Sequence, residues 1–246
     1  MRFIRIIKFD FMNILRNPML VIFNTIFPLM MIAVMGFITK GGYEGSISSY
    51  DYYGVTMMIF TALFVAATAT NTFMEEKVKR GNTRIIYAPI SKTQIYLSKL
   101  IATYILGTVS YSIIMLLGQY VLNINFGGGN IFYIILLINV LTLFGCCLGI
   151  MFCCILRSEE SANSVMQLLL YFFIFFGGLF FSVDSLGKVI AKISCLSPIK
   201  WVTECAFKII YDNDFSLYLP TIAIMLLGSI ACIVVCQIAF KPEEYV

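Results

Sequence analysis

The chain has no histidine, and only 12% of its 246 residues are charged. Without histidine it lacks the commonest general acid–base group and the commonest neutral metal ligand. The eight cysteines do not fill that gap. Six of them (Cys146, Cys147, Cys153, Cys154, Cys232 and Cys236) fall inside apolar runs, where a thiol behaves as a small hydrophobe. No cysteine pair has the spacing and polar surroundings of a zinc site, so no metal site and no catalytic residue is assigned. A nucleotide-binding loop is missing too. Gly127, Gly128 and Gly129 are not followed by Gly-Lys-Ser/Thr, and no Walker pattern occurs elsewhere. The chain is therefore expected to carry no nucleotide or cofactor of its own. The shortage of charge excludes a water-soluble globule, because 60% of the residues are hydrophobic and a chain of this length has no core large enough to hide them. The formal charge of +4 is modest and gives no sign of a nucleic-acid partner.

What is present is a series of apolar runs near the roughly 20 residues that a membrane crossing needs. Six spans are predicted, at about 18–39, 53–74, 94–122, 131–156, 162–181 and 220–240. The fold class is thus all-α and integral to the membrane, with the whole chain forming one transmembrane domain. Pro18 suits a first helical turn, and Pro28 is expected to kink the first span. The second span is rich in Ala and Thr, small residues that let helices approach closely in lipid, and should be buried among its neighbours. In the fourth, Gly145 and Gly149 have small-xxx-small spacing and predict a close crossing.

Two segments flank this set. Residues 2–16 place Phe3, Ile4, Ile6, Ile7, Phe11, Ile14 and Leu15 on one helical face and Arg2, Arg5, Lys8 and Arg16 on the other, the pattern of a helix lying in the interface. The run that follows is too long for a signal peptide and lacks a small-residue cleavage pattern near Lys40. Residues 183–219 are too polar to span but keep apolar spacing around Lys188, Lys192, Lys200 and Lys208, which predicts short re-entrant or interfacial helices between spans five and six. Ser197 and Pro198 mark a helix start there. Trp201 and Lys200 are expected to anchor the segment at the headgroups.

Residues 75–99 hold six of the seventeen Lys and Arg side chains. So dense a charge must sit in water beside the bilayer, and the stretch is too short for a catalytic domain. It is read as a docking surface. Gly81 can end one helix, Asn82 cap another and Pro89 end that, after which Ser91 and Gln94 form a capping-box pattern. With both flanking segments assigned, twelve basic residues fall on the side of the termini and the charged loop, and five on the other. The positive-inside rule then places both termini in the cytoplasm.

With Lys99 counted in the charged stretch, the spans are read as free of ionisable groups. An ion-coupled carrier or membrane enzyme needs such groups at depth. Glu204 and Asp184, outside the spans, are the acids left to an enzyme reading. Asn24, Asn71, Gln119, Asn139, Gln167 and Gln237 are the polar amides of the spans and are read first as helix-packing residues, with pathway lining the lesser alternative, for which Asn24, Asn71 and Gln167 are the candidates. Work is expected to enter through the charged loop, from a separate ATPase.

Together these features resemble the permease subunit of an ABC-2 type transporter, the type V exporter fold. Glu75, Glu76, Lys77, Gly81, Thr83, Ile85, Ile86, Pro89 and Lys99 carry the likeness in the loop, although Asn82 separates Gly81 from Thr83 and Ser98 precedes Lys99. Leu196, Ser197 and Pro198 resemble the family's mark for re-entrant helices. The resemblance implies that Glu75, Glu76, Arg80, Asn82, Thr83, Arg84, Ile85, Ile86 and Tyr87 dock the ATPase, and that Arg2, Arg5 and Lys8 lie on a connecting helix beside it. It further implies two ATPase copies carrying ATP and Mg, a second permease copy, most simply a homodimer, and cargo that is amphipathic or hydrophobic. Small permeases of this type include exporters of phenol-soluble-modulin-like peptides, which makes a peptide the first choice of cargo. A nontransporting membrane anchor for an ATPase in sensing or immunity stays open as the alternative. Cys195 and Cys205, the cysteines expected outside the bilayer, are candidates for a disulfide.

Overall fold

The computed structural model describes residues 2–41, 48–74, 91–156, 158–179 and 194–240, with nothing said of the Arg2 side chain. Among these residues there is no strand. The helices are α1 (Arg2–Arg16), α2 (Pro18–Ile38), α3 (Ser49–Met74), α4 (Lys92–Tyr120), α5 (Ile131–Leu156), α6 (Glu159–Phe176), α7 (Pro198–Phe207) and α8 (Tyr218–Ala239).

Local chemistry explains several boundaries. Asn17 caps α2 by accepting the Met19 N–H at 3.2 Å, and Pro18 occupies the first turn, where a missing N–H costs nothing. Helix α2 continues through Pro28 to Ile38. Ser158 caps α6 ahead of Glu159 and Glu160, whose charges favour a helix N-terminus. Between α4 and α5 the chain turns through Gly127 (φ 106°) and Gly128 (φ 55°), a left-handed stretch open to glycine. Two predicted caps sit where expected but bond differently. Ser91 precedes α4 without a side-chain cap bond, so the Ser91/Gln94 box does not form. Ser197 precedes α7, but its hydroxyl donates to the Phe173 carbonyl of α6 at 2.7 Å and ties the two helices together.

Helix α3 is the centre. Across its span-forming window 89% of residues are buried, against 22% for α2 and for α8. Its most extensive partner is α5, and it also packs on α2, α4, α6 and α7. The α3–α5 crossing is close because α5 presents Gly145 and Gly149 to it. A Cβ on Gly145 would lie 2.9 Å from the Leu63 carbonyl oxygen, and one on Gly149 would overlap the Ala66 carbonyl. The small-residue spacing thus marks a real crossing, at the Ala- and Thr-rich part of α3.

The contacts define two ends. At one, Ser48–Tyr53, the α4–α5 connection and the segment around α7 meet: Asp51 Oδ1 accepts the Asn125 N–H at 2.7 Å, and the Asn130 side chain donates to Asn213 at 2.7 Å. At the other lie α1, the end of α3, the start of α4 and the end of α8. Among the described residues, five helices (α2, α3, α4, α5 with its preceding turn, and α8) are long and apolar enough to cross a membrane. Helix α6 has 18 residues and two glutamates in its first turn, yet it runs from one end, where Asn163 meets Asn71, to the other, where Tyr52 donates to the Leu179 carbonyl just beyond it.

Candidate functional site

The charged loop is the natural place to seek a site, but Glu75, Glu76, Arg80, Asn82, Thr83, Arg84, Ile85, Ile86 and Tyr87 lie outside the described residues, as does Asp184. The ground on which the loop stands is described, and it is built from four helices. Phe73, in the last turn of α3, packs edge-on to Phe240 just after α8, with ring centroids 5.7 Å apart. Phe240 in turn meets Tyr96 in the first turns of α4 at 5.9 Å. The Gln237 side-chain oxygen accepts from the Tyr96 hydroxyl at 2.8 Å and from Thr93 at 3.0 Å, while Lys92 Nζ donates to the Gln237 carbonyl at 3.4 Å. Both chain ends of the loop are therefore held to the end of α8.

On another side of α4 is an ion pair. Lys99 Nζ donates to Asp10 Oδ1 of α1 at 3.3 Å, and Ser98 Oγ donates to Asp10 Oδ2 at 2.7 Å. Both ionic side chains are inside the protein, at 1% and 3% exposure. One turn further along, Ile14 of α1 packs with Leu20, Ala102 and Leu106. This corrects the expectation that the spans are free of ionisable groups. Lys99 belongs to the α4 helix and is buried there together with its partner, the Asp10 carboxyl, which is hydrogen-bonded on both oxygens. The sequence did hold a signal: Asp10 is the lone acid of α1 and falls on the same stripe as Ile6, Ile7 and Ile14, where an unpaired carboxylate would be costly. Arg5 and Lys8 are exposed as expected, but so are Ile4, Phe9, Met12 and Leu15. Helix α1 rests on α4 chiefly through Asp10 and Ile14.

The three pathway candidates separate. Asn24 is fully buried and spends its amide on packing. Its Nδ2 donates to the Leu20 carbonyl and to Thr68 Oγ1, both at 2.8 Å, and its Oδ1 accepts from the Tyr111 hydroxyl at 2.8 Å. It knots α2, α3 and α4, and so takes the packing role within the chain. Tyr111 and Thr68 were not singled out by sequence reasoning, since nothing local pairs residues so far apart. Asn71 and Gln167 are half-buried. Asn71 Oδ1 accepts from Asn163 Nδ2 at 3.3 Å, and Gln167 follows Asn163 by one turn on α6. With Phe60, Phe64 and Tyr171 further along, these two form a partly exposed stripe along the α3–α6 seam, polar at one end and aromatic beyond.

Toward the opposite end an apolar cavity of about 320 Å³ opens among α2, α3 and α4, lined by residues including Leu29, Ile32, Tyr50, Ile114 and Phe126. Nearby, Ser216 gives Asp214 a backbone N–H at 2.8 Å and a hydroxyl at 2.8 Å, which holds that exposed carboxyl below the usual carboxylate range. Glu204 is exposed and pairs with Lys200 at 3.6 Å, one turn back on α7, so it is a surface charge and no buried acid. Trp201 donates its indole N–H to the Cys195 carbonyl at 3.0 Å. The expected Cys195–Cys205 disulfide is not formed: Cys205 is a thiol on the buried face of α7, whereas Cys195 is exposed. Among the described residues no cluster of His, Cys, Asp or Glu is arranged to hold a metal ion.

Long apolar helices around a buried centre make this a multi-pass membrane protein. The chain belongs to the ABC-2 family of transporter proteins: the family model described as ABC-2 family transporter protein matches residues 38–236. It is accordingly a permease subunit of an ABC transporter, and its partner is an ABC ATPase subunit. No curated protein matches it.

Proposed function

We propose that the chain is the membrane half of an ATP-driven exporter that moves amphipathic or hydrophobic cargo, peptides before lipids or drug-like molecules, between two copies of itself. In this reading α6 completes six crossings, both termini face the cytoplasm, and two ATPase subunits carrying ATP and Mg dock on Glu75, Glu76, Arg80, Asn82, Thr83, Arg84, Ile85, Ile86 and Tyr87. Arg2, Arg5 and Lys8 lie beside that contact, and the half-buried Asn71 and Gln167 face the pathway.

The supporting observation is where the ionisable groups fall. In the described helices the buried charged pair lies at the loop end, and no other charged side chain is buried further into the bundle to continue it as a relay, which supports work drawn from the ATPase. Among the described residues no charge is buried without a partner, which suits apolar and amphipathic cargo. The test is reconstitution of the chain and its ATPase in lipid vesicles. A fluorescent amphipathic helical peptide should raise ATP hydrolysis and accumulate inside inverted vesicles. Hydrolysis that proceeds without accumulation of peptide, lipid or dye would make the chain an anchor for the ATPase instead.

A further inference from the structure

We propose that the first two turns of α4, residues 92–99, are a distribution node, and that the Asp10–Lys99 pair is the positioning link that makes α1 follow α4 when the loop is moved. The proposal rests on the reading of the charged loop as the ATPase contact.

Three observations meet in these two turns. The loop leaves the bundle at Met74 and re-enters it at Lys92, so a displacement of it bears directly on α4 as well as on α3. On one side, Lys92, Thr93 and Tyr96 are bonded to Gln237, and Tyr96 shares Phe240 with Phe73 at the loop's other end, so α3, α4 and α8 are held as one body there. On the other side, α1 is an amphipathic helix resting on α4 through a narrow buried strip, and an apolar strip alone is free to slide.

The pair Asp10–Lys99, with Ser98 on the second carboxylate oxygen, admits one register only: a shift of one turn would leave two ions buried and unpaired. Replacing both ions of a buried pair with apolar side chains is commonly neutral for stability, whereas removing one is strongly destabilising. The benefit of this pair is therefore fixed registration rather than stability. The proposal separates registration from folding, so the two can be tested apart.

The reporter is Ile14→Cys, in the α1–α4 seam, made with Cys195→Ser and probed with a maleimide in vesicles containing the chain and its ATPase. Cys195 is exposed and the other described cysteines are buried, so background labelling is low. With the pair intact, the thiol introduced by Ile14→Cys should stay protected with and without ATP and vanadate, within about twofold. The double variant Asp10→Leu, Lys99→Met should insert and purify like the parent, yet label about tenfold faster at the introduced thiol once ATP and vanadate are added, because α4 then moves without α1. Asp10→Asn alone should label fast in both states, and the exchanged pair Asp10→Lys, Lys99→Asp should regain protection. A second reporter, Ser91→Cys at the exposed start of α4, should change its labelling with nucleotide in every variant. If Ser91→Cys responds and the Ile14→Cys thiol stays protected in the apolar double variant, the link is overturned while the loop reading stands. If Ser91→Cys never responds with ATPase bound, the loop reading is overturned and the proposal with it.

Discussion

Replacing Gly149 with alanine tests the packing that holds the bundle together. In an isolated helix the change is favourable by about 1 kcal/mol, because alanine loses less backbone entropy than glycine. Here the new methyl would overlap the Ala66 carbonyl, with the Ala66 carbonyl carbon at 3.0 Å and its Cα at 3.1 Å, so the obstacle is the α3 backbone and no rotamer can relieve it. Helices α3 and α5 must separate by a few tenths of an ångström or more, which also loosens the 3.4 Å contact of Thr70 Oγ1 with the Gly149 carbonyl. Overpacking of this kind costs on the order of 1–3 kcal/mol, and a backbone obstacle belongs at the upper end. Set against the propensity gain, the net is a loss of about 2 kcal/mol, roughly thirtyfold in the unfolding equilibrium. Unfolding by SDS in mixed micelles, followed by loss of helical circular dichroism, measures it. The control is Gly129→Ala, whose Cβ meets nothing within 4 Å and should change stability by less than about 0.5 kcal/mol. A Gly149→Ala protein as stable as the parent, or more so, would refute the close crossing.

Asn24→Leu should lower stability in the same assay by about 2 kcal/mol, since it strips two interhelical bonds and one to the Leu20 carbonyl within α2, and leaves the Tyr111 hydroxyl only its bond to the Thr61 carbonyl; a variant of parental stability that nevertheless transports poorly would restore Asn24 to the pathway. Gln237→Leu should cut ATP-dependent transport severalfold without loss of membrane insertion, because it releases Thr93 and Tyr96 at the foot of α4. Unaltered transport by this variant would show that the α4–α8 bonds are dispensable. Cys205 should react with a thiol reagent only after denaturation, and without prior reduction; a requirement for reductant would show that it is bonded after all. Glu76→Ala, Arg80→Ala and a proline at Ile85 should each uncouple hydrolysis from transport while the chain still inserts, and three fully active variants would remove the docking assignment.

Much of the fold was legible in the sequence because its signals are local. Apolar length marks the spans, Pro18 and Pro198 mark helix starts, and Gly145 with Gly149 marks a crossing, since each depends on neighbours within a turn or two. Hydropathy, however, does not say which helix is central. The window of α3 has a mean hydropathy of 1.6 and is 89% buried, whereas that of α2 reaches 2.2 and is 22% buried. In water the more apolar helix would be the core; in lipid the outside is as apolar as the inside, so small and weakly polar residues that pack closely take the centre.

The sequence by itself determined that this is a membrane protein without a nucleotide loop, and its loop and span pattern resembled the family that the match to residues 38–236 establishes. Only the tertiary structure decided what each polar residue does. Asn24 became a packing knot, Lys99 an internal ion, Gln237 a brace and Cys205 a buried thiol. The partners of Asn24, Lys99 and Gln237 lie 44, 87, 89 or 141 residues away, and such pairings leave no trace in local periodicity. They exist because a polar group removed from water must find a partner wherever the helices bring one.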